Sequence, residues 1–62
     1  MIEFDKDAER EGYRAYSQQR KKTASPARNN PYPKNSVKWM SWDDGFDLAA
    51  YDDFVGELED EL

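Results

Sequence analysis

The stretch DDGFD, residues 43–47, carries Asp43, Asp44 and Asp47 at a spacing that holds magnesium on one helical face of some large helical enzymes. This chain has no second acidic helix and no large cavity to complete such a site. The three carboxylates are therefore read as solvated side chains, and no metal is expected. A second candidate is RKKTASPAR, residues 20–28, a basic run beside Tyr16 and Tyr32. Cations of this kind contact phosphates, and exposed rings stack bases. Arg14, Arg20, Lys21, Lys22, Arg28 and Tyr32 are the candidate RNA-binding set. The plainer reading of the run is a helix end with cations suited to its dipole, followed by a loose linker. The sequence contains no histidine and no cysteine. That removes the commonest acid–base group near neutral pH, the thiol nucleophile, the thiolate metal site and the disulfide. Catalysis would fall to Asp, Glu, Lys or Tyr in a chain too short to bury them and tune their pKa values. A non-enzymatic protein without cofactors is expected.

The net charge of −5 conceals a partition. Residues 1–9 carry a net −3, residues 10–38 a net +7, and residues 39–62 a net −9 with no base among them. Such local fields steer encounters more than the overall pI does. Asp43, Asp44, Asp47, Asp52 and Asp53 form the acidic counterpart to the basic middle. They are a candidate face for a basic partner, standing in for nucleic-acid phosphates.

These residues must be positioned by very little structure. A chain of 62 residues is one domain of marginal stability, which partner binding or homodimerisation would reinforce. High charge leans toward disorder, but 15% aromatic residues argue for a folded middle. No apolar run approaches ~18 residues, so no membrane span is expected, nor is a signal peptide. A cytoplasmic protein of a bacterium or its phage fits these features.

The spacing predicts an all-α fold of two helices, about residues 5–22 and 36–55, joined by a proline-containing linker. The single domain covers 1–55, and 56–62 form a frayed acidic tail. The first helix opens with acids and closes with bases, and Asp5 or Asp7 can cap it. Ala8, Gly12, Ala15 and Gln19 fall on one stripe of mostly small side chains, with Phe4 before it and Tyr13 and Tyr16 beside it. Gly12 costs about 1 kcal/mol in a helix interior, so close packing is its expected reason. Pro26, Pro31 and Pro33 forbid a continuous helix. The second helix starts at Asn35 or Ser36, with Trp39, Trp42, Phe46, Ala49, Ala50 and then Phe54 as its apolar positions. Gly12, Ala15, Pro31, Tyr32, Trp39, Trp42, Gly45, Phe46 and Ala49 are the expected structural core, with surplus indole surface left for a partner.

Gly12-Tyr13 and Ala15, then Asn30-Pro31-Tyr32, then Trp42, Gly45, Phe46 and Ala49, occur in this order across roughly residues 8–50. In this the chain resembles the ribosome modulation factor family and the related short CrpP-type proteins. The resemblance implies two helices joined by a proline-containing linker and a non-enzymatic role on the small ribosomal subunit. The chain departs from that family in its longer linker, in Tyr16 and Ser17 where a glycine is expected, and in its acidic second helix. Two functional expectations follow. The first is a translation-linked binding protein touching ribosomal RNA through its basic middle. The alternative is an acidic inhibitor, encoded by a phage or mobile element, that covers a nucleic-acid-binding surface of a host protein.

Overall fold

The computed structural model describes residues 4–60, with side chains through Gly56. It contains two α-helices, α1 (Lys6–Arg20) and α2 (Val37–Asp60), and no strand among the described residues. Asp5 caps α1, its carboxylate accepting the N–H groups of Asp7 and Ala8 at 3.1 Å each. This satisfies two of the donors that a helix start leaves open. Ser36 caps α2 by accepting the Trp39 N–H at 3.1 Å, and its own hydroxyl donates to the Pro33 carbonyl. Asn35, the other candidate cap, instead takes the left-handed backbone (φ 70°) that turns the chain into the helix.

The helices run parallel. Near their starts the Asp5 N–H donates to the Ser41 hydroxyl at 2.9 Å, and fifteen residues on Arg20 meets Asp53 at 2.9 Å. The partition of charge explains this direction. The acidic start of α1 lies beside the end of α2 that Lys34 and Lys38 flank, and its basic end lies beside Asp52 and Asp53. Antiparallel packing would set the acidic start of α1 against the acidic end of α2. A parallel pair cannot be joined by a tight turn, so residues 21–36 return along the pair as a strap.

At the crossing the backbones nearly touch. A Cβ at Gly12 would overlap the carbonyl oxygen of Trp42, and one at Gly45 would overlap that of Glu9. Ala8, Trp42, Phe46 and Ala49 form the buried core, with Ala15, Tyr16 and Tyr32 packed against it. Trp42 stacks on Phe46 at 5.4 Å between ring centroids, and Tyr16 meets Phe46 edge-on at 5.2 Å. Such pairs add stabilisation beyond the area they bury.

Three expectations are corrected. The second helix does not end near residue 55. It continues to Asp60, because Gly56 alone does not stop a helix and Glu57, Leu58 and Glu59 favour one. Residues 56–60 are thus helical, while 61 and 62 lie outside the described residues. Phe54 is 58% exposed, since it lies about 80° round α2 from Phe46, toward the side away from α1. Pro31 is exposed as well, and its fixed φ shapes the strap while the neighbouring Tyr32 does the packing.

Candidate nucleic-acid interface

The candidate RNA-binding residues divide into two groups. Arg20, Arg28 and Tyr32 are engaged inside the fold. Arg20 donates to Asp53, which also accepts the Tyr16 hydroxyl at 2.9 Å. These two bonds hold the Asp53 carboxyl below its ordinary pKa. Arg28 reaches from the strap to Asp47, lies 3.7 Å from Asp43, and sits over the Phe46 ring at 5.1 Å. Its planar cation joins an ion pair to a cation–π contact. The Tyr32 hydroxyl donates to Glu11, and Lys38 lies 5.7 Å from the Tyr32 ring. Tyr16 and Tyr32 therefore support the helix pair, and neither ring stands as a free platform for a base.

Arg14, Lys21 and Lys22 remain. All three are exposed, and their side chains make no hydrogen bond or ion pair among the described residues. Lys6 and Arg10 join them, two residues that the sequence reading did not single out. Lys6, Arg10, Arg14 and Lys21 recur at intervals of four, four and seven, which keeps them within roughly 80° on a helix of 3.6 residues per turn. Ala8, Gly12 and Gln19 lie on the opposite side. The signal lies in the spacing, which the denser basic run at residues 20–28 overshadows. This row is the outer face of α1, some 22 Å long at 1.5 Å per residue.

The acidic set is mostly spent within the molecule. Asp43 accepts from the Asn30 amide at 3.1 Å and faces Arg28. Asp47 pairs with Arg28, Asp52 accepts the Tyr13 hydroxyl at 2.9 Å, and Asp53 holds Tyr16 and Arg20. Asp44 is the exception, because it lies against another carboxyl, Glu9 of α1. Partial desolvation, followed by the hydrogen bond and repulsion from Asp44, pushes the Glu9 pKa up, and Lys6 offsets part of this. The three aspartates of DDGFD thus point to different partners and do not converge on one point.

A cleft of about 350 Å³ opens between the helices, lined by Tyr13, Tyr16, Arg20, Ala49, Asp52 and Asp53 among others. Its hydroxyls, guanidinium and carboxylates bond one another, so they serve the helix pairing. No helix among the described residues is long and apolar enough to cross a membrane. No protein family, curated protein or solved structure matches this chain. The likeness to the ribosome modulation factor family rests on the residues quoted for it.

Proposed function

We propose that this protein is a small non-enzymatic binding protein of the cytoplasm that docks on RNA of the translation machinery through the outer face of α1. The observation that carries the reading is the row Lys6, Arg10, Arg14 and Lys21, all exposed and on the side of α1 away from α2. Phosphate contact needs cations held in register. The fold also lessens competition from the α2 carboxylates by drawing Asp43, Asp47, Asp52 and Asp53 into bonds with Arg28, Tyr13, Tyr16 and Arg20. The same bonds weigh against the acidic-inhibitor alternative, which requires those carboxylates for a partner. The resemblance to the ribosome modulation factor family directs the proposal to the small ribosomal subunit.

Co-sedimentation with small ribosomal subunits across a salt series tests the reading. Binding at low salt that weakens steeply as salt rises is expected. Replacing Arg10, Arg14 and Lys21 together by Gln should lower the log–log salt slope by roughly 2–3, since each phosphate contact contributes about 0.7–0.9. These side chains are exposed and unbonded, so helicity should be unchanged. Absence of sedimentation at low salt, or a triple variant that binds like the parent, overturns it.

A further inference from the structure

The outer face of α2 has no partner among the described residues. Val37, Met40, Leu48 and Tyr51 are 39, 37, 46 and 63% exposed, although all four are large apolar or aromatic side chains. They lie at spacings of three, eight and three residues, with Asp44 filling the position between Met40 and Leu48. The five positions follow intervals of three, four, four and three, which keeps them within about 80° of one another on one side of α2. Apolar residues on both faces of α2 exceed what a helix packed on one side requires. Phe54, 58% exposed, borders the same surface.

We propose that this face is the interface of a homodimer in which α2 packs antiparallel against α2 of a second copy. The exposed area suits this occupant. The chain exposes 4912 Å², against roughly 4,200 Å² for a compact monomer of its mass. The surplus belongs to the whole chain and is of the order of the ~800 Å² per partner that a standard interface buries. Charge sets the direction. Lys34 and Lys38 stand at the start of α2, and its last turns carry Glu57, Glu59 and Asp60 in the sequence. Parallel self-pairing would bring the two acidic ends together, whereas antiparallel pairing sets each beside the other's lysines. With the two-fold axis near Leu48, Asp44 comes opposite Tyr51 of the second copy. A tyrosine hydroxyl there would donate to the carboxylate, as Tyr13 does to Asp52 within one chain. The surface lies on the far side of the molecule from the α1 cations, so the dimer stands or falls independently of RNA binding.

Sedimentation equilibrium of the full chain over concentrations up to about 1 mM reads the association directly. A monomer–dimer equilibrium is expected, and Leu48→Glu should abolish it while leaving helical circular dichroism intact, because Leu48 is not part of the core. Direction is read from single cysteines, which the chain otherwise lacks. Under mild oxidation Leu48→Cys, near the axis, should cross-link as a dimer. Val37→Cys should not, because its two copies lie far apart. A chain that stays monomeric throughout, a dimer indifferent to Leu48→Glu, or cross-linking through Val37→Cys in place of Leu48→Cys overturns the proposal.

Discussion

Three glycines of this chain sit in helices and do different things. Gly12 and Gly45 lie where the backbones of α1 and α2 meet, each against a carbonyl of the other helix. Gly56 has nothing within 4 Å of where a Cβ would stand. The same substitution should therefore change sign along the chain. Gly12→Ala or Gly45→Ala forces the helices apart and should destabilise by about 1–3 kcal/mol, as overpacking does. Gly56→Ala meets no obstacle and should stabilise by up to about 1 kcal/mol through helix propensity alone. Urea denaturation of the three variants checks both directions. Ser41 is the other residue on which the crossing depends. It is fully buried, and its hydroxyl accepts the Asp5 N–H at 2.9 Å. Ser41→Ala should cost about 1–3 kcal/mol in the same measurement, because it leaves that N–H without a partner. The small-residue stripe announced Gly12, since a helix interior rarely keeps glycine without a packing reason. Ser41 was not legible, because its role depends on where the start of α1 arrives.

At the level of elements, the strap at residues 21–36 is the least regular segment and yet is fastened at both ends. The Gln19 amide donates to the Ala27 carbonyl and accepts the Ala27 N–H, each at 2.9 Å, imitating a strand pair. Further on, the Asn30 amide donates to the Trp39 carbonyl at 2.8 Å, and its side-chain oxygen accepts the Tyr32 N–H. Between them Arg28 clamps the strap over Phe46. Gln19→Ala should release the first fastening while leaving the helix pair formed. The expected result is faster tryptic cleavage after Lys21, Lys22 and Arg28, with a global stability loss of only about 1 kcal/mol, since both bonds are exposed. Limited proteolysis followed by mass spectrometry checks this. Proline spacing showed that the chain leaves the helix here. It did not show docking, because side-chain amides and guanidinium groups fasten a segment only after the fold has brought their partners within reach.

For the whole molecule, charge selects the direction of helix pairing and then governs how stability responds to pH. Tyr13, Tyr16 and Tyr32 each have a raised pKa. Hydrogen bonds to Asp52 and Glu11 lead for Tyr13 and Tyr32, and burial leads for Tyr16, followed by its bond to Asp53. A raised folded pKa means stability that is present below the ordinary tyrosine value of about 10 and lost as pH climbs through the folded value. Thermal melts should therefore show Tm falling above about pH 10, less steeply for Tyr16→Phe. Asp53 runs the other way. Its lowered pKa contributes stability above the ordinary carboxylate range that is lost on acidification. Glu9 opposes it, because a raised carboxyl pKa favours the fold at low pH and leaves repulsion with Asp44 at neutral pH. Glu9→Gln should accordingly raise Tm at pH 7, and the gain should vanish near pH 4, where the parent carboxyl binds its proton.

The sequence by itself determined two helices, their caps at Asp5 and Ser36, and the Trp42, Phe46 and Ala49 face. These follow from local chemistry: proline removes a donor, a short polar side chain satisfies the first turn, and apolar positions recur at the helical period. It also displayed the division into a basic middle and an acidic end. Only the tertiary structure decided what that division does. Parallel packing and the return of the strap spend Arg20, Arg28 and three of the aspartates on one another, and leave Lys6, Arg10 and Arg14 facing outward. The apolar outer face of α2 emerged in the same way, since a stripe counts as unpartnered only once the opposite face has been taken. The physical reason is range. Helix formation is settled within a few residues along the chain, whereas the partner of a charge or an apolar face is set by which distant segment folding brings within a few ångströms.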